Sequence, residues 1–223
     1  MTEVEWLAAI EPCSMLEAIR TQANDRKLRL FAVACCWDHT HWLWEGKASA
    51  AAVTVALRHA DGQATPAELQ LAWEAVGSQL RFKLEGGEPA WDPIYYASSS
   101  DIAFAAEVCA YYSANRIGML PEPHTDELAA NVFATEADFQ AHLLRDIFGN
   151  PFRPVAFDPT WRSETTIGLA SAIYDDRAFE RMPILADALQ DAGCDHPDIL
   201  THCREPGTHV RGCWVVDLVL GKE

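Results

Sequence analysis

Apolar residues recur along this chain at the three-to-four-residue spacing of α-helices. The stripe over residues 28–42 is the broadest example. Runs of β-branched residues are short, and Val53-Thr54-Val55 and Val215-Val216 both fall within helical periods. The pattern therefore predicts an all-α fold, arranged as a single compact multi-helix domain over residues 1–223.

Capping residues predict where the helices begin. The clearest signal is Thr65-Pro66-Ala67-Glu68, because Thr65 can cap, Pro66 suits the first helical position and Glu68 completes a capping box. A last helix is predicted from about His209 to Leu220. The other helices are expected to begin near residues 14, 25, 48, 94, 126, 163, 182 and 196.

Proline and glycine divide this helical pattern. Breaks are predicted near residues 86–93 and at Pro121-Glu122-Pro123, so the alternative to one domain is a subdivision into residues 1–120 and 121–223. The segment around Pro151 and Pro154 cannot continue a helix, because each proline lacks a backbone donor. We therefore expect an ordered, Pro-rich loop near 149–162.

Composition and charge narrow the class of protein. With 49% hydrophobic residues the chain is too apolar for disorder. No apolar run approaches the ~20 residues that cross a bilayer, and the acidic N-terminus is unlike a secretory signal, so we expect a cytoplasmic protein without a membrane partner. The net charge is -16, and residues 61–140 hold thirteen acids and three bases. A chain this acidic is repelled by phosphate backbones, so we expect no nucleic-acid partner. Its acidic face is expected to meet a protein partner that is basic.

The C-terminal segment contains a candidate metal site. His202, Cys203, His209 and Cys213 fall within twelve residues. On the predicted last helix, His209 and Cys213 are spaced i, i+4 and project from one face, and the Pro206-Gly207 turn can fold the other two back toward them. Zinc takes tetrahedral sets of sulfur and nitrogen ligands of this kind.

Other interpretations of these side chains stay open. The seven cysteines are odd in number and apolar in setting, so small buried thiols are the favoured interpretation of Cys203 and Cys213, with His202 and His209 capping or pairing locally. A Cys/His nucleophile oriented by Asp217 is a further alternative. A weaker metal cluster is Cys35, Cys36, His39 and His41. The Ser98-Ser99-Ser100 run lacks the glycines of a phosphate-binding loop and is interpreted as ordinary helix or loop surface.

Four arginines form a second candidate site, which would bind an anion. They are Arg145, Arg153, Arg204 and Arg211. Arginines in an acidic protein need partners, and Asp146, Asp175 and Asp187 can supply them. Structural ion pairing is therefore favoured over an anion pocket.

Several long runs of the sequence resemble a family of uncharacterised planctomycete proteins. The matching elements include Leu144-Arg145-Asp146-Ile147-Phe148-Gly149-Asn150-Pro151-Phe152-Arg153-Pro154 and His209-Val210-Arg211-Gly212-Cys213-Trp214-Val215-Val216-Asp217, preceded by His202-Cys203-Arg204. The resemblance brings no activity, cofactor or catalytic residue with it. It implies an interaction module, because members are sometimes assigned to a superfamily of cell-wall regulators and toxin-immunity proteins. That superfamily has a mixed α/β fold, whereas the periodicity here is helical.

The sequence thus supports two hypotheses of function. The leading one is a non-enzymatic intracellular interaction or regulatory module with an acidic face, because no nucleotide, metalloprotease or nucleophile-elbow motif is present. The alternative is a zinc-binding protein, structural or hydrolytic, that uses the C-terminal His/Cys cluster. The expected cofactor is accordingly none or zinc, and no catalytic residue is assigned.

Overall fold

The structure, a computed structural model, describes residues 1–37, 47–83, 96–114 and 125–222. These ranges contain helices joined by turns and loops but no strand, which confirms the predicted all-α class. The α-helices are α1 (Glu3–Ala8), α2 (Pro12–Ile19), α3 (Asp25–Trp37), α4 (Lys47–Ala60), α5 (Pro66–Lys83), α6 (Ile102–Ala114), α7 (Asp126–Phe148), α8 (Glu164–Asp176), α9 (Met182–Asp191), α10 (Pro197–Arg204) and α11 (Trp214–Leu220). Among these ranges, none of the helices is both long enough and apolar enough to cross a membrane.

The chain divides into two compact units, Met1–Leu144 and Arg145–Glu223. The boundary falls within α7, whose last turn belongs to the second unit. A compact unit is not by itself an independently folding domain, so the expectation of a single domain, or of a subdivision after residue 120, stays a prediction.

In the first unit, α3 lies against α4 and α6, and α4 lies against α5. The predicted capping box at α5 is present, because the Thr65 hydroxyl accepts from the Glu68 amide and the Glu68 carboxylate accepts from the Thr65 amide. The largest fully buried side chains of this unit are Trp6, Met15, Ile19, Leu30, Phe31, Leu143 and Leu144. The amphipathic pattern of the sequence is thus satisfied by helix-on-helix packing.

In the second unit, α8 contacts α9 and α11, and α9 contacts α10. The core of this unit is apolar and includes Ile173, Leu185, Leu189, Ile199, Val215 and Val219. Arg162 donates to the carbonyls of Leu218 and Val219 at the C-terminal end of α11, where backbone acceptors lack helical partners. This contact ties the end of the Pro-rich 149–162 loop to the last helix.

The predicted start of the last helix is wrong. The helix begins at Trp214 and not near His209, and residues 205–213 form a non-helical connection, which we call the 205–213 segment. The connection ends in a turn in which the Cys213 amide donates to the Val210 carbonyl, with Gly212 at a φ of 99°. A positive φ suits glycine and interrupts a helix, so the i, i+4 argument for His209 and Cys213 does not apply.

A second prediction is corrected at Ser98–Ser100. The helix expected from about residue 94 is interrupted: Tyr96 and Ala97 are helical, Ser98 to Asp101 are not, and a second helix begins at Ile102. Residues 38–46, 84–95 and 115–124 lie outside the described part of the chain. The end of the 28–42 stripe and the predicted breaks near 86–93 and at Pro121-Glu122-Pro123 therefore fall outside it as well.

Candidate metal centre

Four side chains from three segments of the second unit bring their polar atoms together. Asp146 lies in the last turn of α7, His202 in the last turn of α10, and His209 and Cys213 in the 205–213 segment. One ligand-type atom from each lies within 4.8 Å of all the others. Three of the four are residues that the sequence singled out as metal ligands, and the fourth is a carboxylate.

Asp146 is the anionic member of the group and is only 3% exposed. Its Oδ1 accepts from Nδ1 of His209 at 2.6 Å and lies 3.2 Å from Nε2 of His202. Its Oδ2 accepts from the Val210 amide at 2.8 Å. Burial raises the pKa of Asp146, but the hydrogen bonds and charges of His202 and His209 outweigh it and leave the pKa below its ordinary value. The carboxyl group is therefore an anion at neutral pH.

Cys213 supplies the only sulfur of the group and is fully buried. Its Sγ lies 3.2 Å from Nε2 of His202 and 4.0 Å from Nδ1 of His209. Burial, together with the nearby Asp146 carboxylate, raises the pKa of the thiol well above its ordinary value. Without a cation beside it, Cys213 is a neutral thiol at physiological pH.

The geometry distinguishes a ligand set from a catalytic triad. In a nucleophile–base–carboxylate triad, the two nitrogens of the histidine ring serve different partners. Here Nε2 of His202 faces both the thiol and the carboxylate, and Nδ1 of His209 does the same. The four atoms thus converge on one point, as ligands do. The predicted alternative of a nucleophile oriented by Asp217 has no support from this arrangement, because Asp217 is not among the four residues.

Aromatic packing holds the histidine rings. The ring of His202 lies 4.9 Å from that of His209 and 5.1 Å from that of Trp214, measured between centroids. Gly149 allows Trp214 this position, because a Cβ atom on Gly149 would lie 3.3 Å from the indole ring. His209 is held inside the unit, and its Nε2 is buried with no hydrogen-bond partner among the described residues.

The structure places Cys203 outside this group. Its side chain is 1% exposed and belongs to the apolar core of the second unit. Burial raises the pKa of Cys203 to about 12. This is the buried-thiol interpretation that the sequence left open for it. Of the weaker cluster, Cys35 and Cys36 are buried in α3, and His39 and His41 lie outside the described residues.

Asp146 is the member that the sequence does not indicate as a metal ligand. The sequence suggests it as a partner for arginine, whereas its carboxylate contacts two histidines and the Val210 amide. Its separation from His209 is 63 residues, so no local spacing pattern links the two. Asp146 lies in the distinctive run that begins at Leu144, but that run alone does not indicate a metal ligand.

Each arginine of the proposed anion site has its own contact. Arg204 donates to Asp187 at 2.8 Å and to Gln190 at 2.7 Å. Arg153 lies 3.5 Å from Asp198, which ties the Pro-rich loop to α10. Arg211 donates to the Tyr174 carbonyl, lies over the Tyr174 ring, and is 4.0 Å from Asp175. Arg145 lies in the last turn of α7 and also has an interaction partner. For Arg153, Arg204 and Arg211 these contacts are of the kind that structural ion pairing predicts, and the anion site itself stays a prediction.

Comparisons of the chain with protein-family models, with curated proteins and with solved structures found no match. The resemblance to the planctomycete family therefore stays a prediction.

Proposed function

We propose that the protein binds one zinc ion through Asp146, His202, His209 and Cys213. The observation that carries this proposal is the convergence of four ligand-type atoms within 4.8 Å of one another inside the second unit. The ion would join the 205–213 segment to the ends of α7 and α10. Its role is structural, because it would fix a connection that has no helical hydrogen bonds of its own.

The donor set suits zinc better than a hard cation. Two imidazoles, one thiolate and one carboxylate are zinc ligands, whereas magnesium and calcium prefer oxygen alone. Zinc bonds of about 2.0–2.3 Å imply distances of roughly 3.3–3.8 Å between neighbouring ligand atoms of a tetrahedron. Four of the six distances between the ligand atoms are 2.6, 3.2, 3.2 and 4.0 Å, on both sides of that range, and none of the six exceeds 4.8 Å. Shifts of less than about 1 Å would convert one arrangement into the other.

Electrostatics supports the same proposal. The group contains a buried carboxylate, and a thiol whose pKa is raised by burial and by that carboxylate. A dication placed among the four atoms would favour the thiolate. Two neutral imidazoles, one carboxylate and one thiolate then balance the charge of the ion, which removes the cost of leaving a charge unpaired in a buried site.

A structural role is favoured over a hydrolytic one. Catalytic zinc sites keep one coordination position for water, whereas structural sites are filled by four protein ligands. The group here offers four ligands, of which the thiol is fully buried and the carboxylate is 3% exposed. We therefore do not assign a reaction to this centre.

Metal analysis tests the proposal directly. Protein purified without a polyhistidine tag is expected to retain about one zinc per chain, whereas Cys213→Ser and Asp146→Asn are expected to retain much less. Cys203→Ala is the matched control, because Cys203 is an equally buried cysteine of the same unit that lies outside the group. Replacement of zinc by cobalt should give a thiolate-to-metal absorption band that Cys213→Ser abolishes.

Two results would contradict the zinc proposal. One is wild-type protein that holds no zinc after equilibration with the free ion. The other is a loss of zinc in Cys203→Ala as large as in Cys213→Ser, which would mean that any damage to the core releases the metal.

A second candidate function is the interaction module. The specific observation in its favour is a set of exposed apolar side chains in and just after α1, where Val4, Leu7 and Ile10 are 76%, 54% and 62% exposed. Exposed apolar side chains of this kind are used by protein interfaces. Affinity capture with wild-type protein and with a Val4→Ser/Leu7→Ser variant would test it. A partner retained equally by both would contradict a role for this surface.

A further inference from the structure

A polar cavity in the first unit lies apart from the metal centre in sequence and chemistry. Its volume is about 260 Å³. The start of α3 contributes Asp25, Arg26 and Arg29, the end of α4 contributes His59, and the turn before α6 contributes Ser98 and Ser100. Two arginines, a histidine and two hydroxyls thus face one space in a protein whose net charge is -16.

Arg29 is the central feature of this cavity. The residue is only 3% exposed, and its Nη1 donates to the carbonyls of Ala97 and Ser99 at 3.0 and 2.9 Å. Both acceptors are neutral, and the donors on Nε and Nη2 have no acceptor among the described residues. Burial lowers the pKa of Arg29, and the charge of Asp25 opposes this. A guanidinium with unused donors at a cavity wall is arranged to meet an oxyanion.

The neighbouring groups complement Arg29. Arg26 lies 3.5 Å from Asp61, so its charge is largely balanced by the protein itself. Nδ1 of His59 lies 2.9 Å from the Ala64 carbonyl, which can only accept, so Nδ1 carries a proton and Nε2 is the ring nitrogen left for another partner. Ser100 is exposed at the edge of the cavity. Asp25, also exposed, is the one carboxylate among the lining residues.

We propose that this cavity binds a small phosphate monoester, with the phosphate group on Arg29 and the Ser100 hydroxyl. Phosphate accepts more hydrogen bonds than a carboxylate does, and the donors here come from two elements, Arg29 on α3 and Ser100 in the turn before α6. The cavity is larger than a phosphate group alone, so it leaves room for a small organic group. The Ser98-Ser99-Ser100 run has none of the glycines of a phosphate-binding loop. It gains a phosphate-binding role through Arg29, which donates to the carbonyls of Ala97 and Ser99, 68 and 70 residues further along the chain.

The direct test is a titration with inorganic phosphate at constant ionic strength, in which binding is measured by calorimetry or by amide chemical shifts. For a group of this size we expect a Kd on the order of 1 mM in wild-type protein. Arg29→Gln should weaken binding at least tenfold. Asp25→Asn should strengthen it about fivefold, because it removes a like charge near the anion. Arg204→Gln is the matched control, since that arginine lies on the surface of the second unit beside Asp187.

The Asp25→Asn variant keeps the test decisive even if Arg29→Gln unfolds. Loss of the guanidinium also removes the two bonds to Ala97 and Ser99, whereas Asp25→Asn leaves them in place. Tighter binding in Asp25→Asn, unchanged binding in Arg204→Gln and no comparable binding of acetate would support the proposal. The absence of saturable binding to wild-type protein, or equal affinity in Asp25→Asn and wild type, would overturn it. Binding of acetate as tight as that of phosphate would overturn the phosphate assignment.

Discussion

For single residues, the chemistry of the candidate metal centre depends on where each polar atom points. His202 and His209 are both partly buried, yet the nitrogen that each directs at Asp146 is also the one nearest Cys213. Cys203 is adjacent to His202 in sequence, but its sulfur belongs to the apolar core. Consecutive side chains of a helix point in directions that differ by about 100°. His202 and Cys203 therefore face different surroundings although they are adjacent in sequence.

The reactivity of the thiols is predicted at this scale. Under native conditions at neutral pH, iodoacetamide is expected to modify Cys13 first and slowly, because Cys13 is partly exposed while burial and Glu11 raise its pKa to about 11. The other six cysteines are buried and should stay unmodified until the protein unfolds. Mass spectrometry of peptides from a time course would measure this. Rapid modification of Cys213 in folded protein would argue for an accessible thiolate and against a structural ligand.

At the scale of elements, helix ends account for much of what the sequence predicts. Glu11 takes the N-cap of α2, where its carboxylate accepts from the amides of Cys13 and Ser14 at 3.1 and 2.6 Å. Pro12 follows it at the first helical position. The helix expected to begin near residue 14 therefore begins at Pro12, and Ser14 lies inside it. A short helix such as α2 depends on these end contacts, since it has few internal hydrogen bonds.

Acid should remove the contribution of the Glu11 cap. Burial raises the pKa of Glu11, but hydrogen bonds from Ser14 and Cys13 outweigh it and leave the pKa below the ordinary value of 4.5. The stabilisation is therefore complete above about pH 4.5 and is lost as the pH falls through the folded-state pKa. At pH 7, Glu11→Gln should lower the free energy of unfolding by about 0.5–1 kcal/mol.

Urea denaturation of wild type and Glu11→Gln at several pH values measures this effect. The difference between the two proteins should shrink toward zero as the pH falls through the folded-state pKa of Glu11, which lies below its ordinary value. Glu17→Gln is the control, because Glu17 pairs with Arg20 on the exposed surface of the same region and should change stability only slightly. A Glu11→Gln difference that stays constant with pH would exclude the charged cap as its cause.

The turn after α7 contacts the ring of Trp214, which packs on a residue of the candidate metal centre. Gly149 adopts a φ of +65°, and a Cβ atom there would lie 3.3 Å from the indole of Trp214, which packs on His202. Gly149→Ala should therefore carry backbone strain of about 1–2 kcal/mol and also displace Trp214. Gly193→Ala is a matched control, because Gly193 has a φ of +92° with open space around its Cβ position.

Measuring the denaturation and the zinc content of the two glycine variants distinguishes the effect of backbone strain from the effect of displacing Trp214. Both should lose stability, but only Gly149→Ala should also hold zinc less tightly, because a displaced Trp214 disturbs the His202 ring. Equal zinc content in both variants would show that the Gly149–Trp214 contact does not support the metal centre.

At the scale of the whole molecule, the two units have different chemistry. The metal group lies within Arg145–Glu223, whereas the Arg29 cavity lies within Met1–Leu144. A ligand that binds only the folded state stabilises the unit that holds it by RT ln(1 + [L]/Kd), or about 2.7 kcal/mol at one hundred times Kd. The two proposals therefore make separate predictions for the two units.

Removal of zinc should affect one unit alone. After chelation, amide hydrogen exchange is expected to speed up in the 205–213 segment and in the neighbouring turns of α7 and α10, since local opening no longer breaks metal bonds. Residues of the first unit should exchange at unchanged rates. Mass spectrometry of exchanged peptides, with and without chelator, would measure this. Faster exchange throughout Met1–Leu144 would contradict a centre that acts locally.

Local patterns in the sequence are enough to predict the helical class and most helix starts of the described residues, because periodicity, proline and capping act over a few residues. The capping box at Thr65 and Glu68 and the helix of Asp126–Phe148 are examples. These patterns also indicate His202, His209 and Cys213 as ligand types, although for a reason that the non-helical 205–213 segment removes. They do not show that Asp146 lies with these three residues or that Cys203 does not. That arrangement depends on the packing of the second unit, which brings a carboxylate 63 residues away into contact with His209.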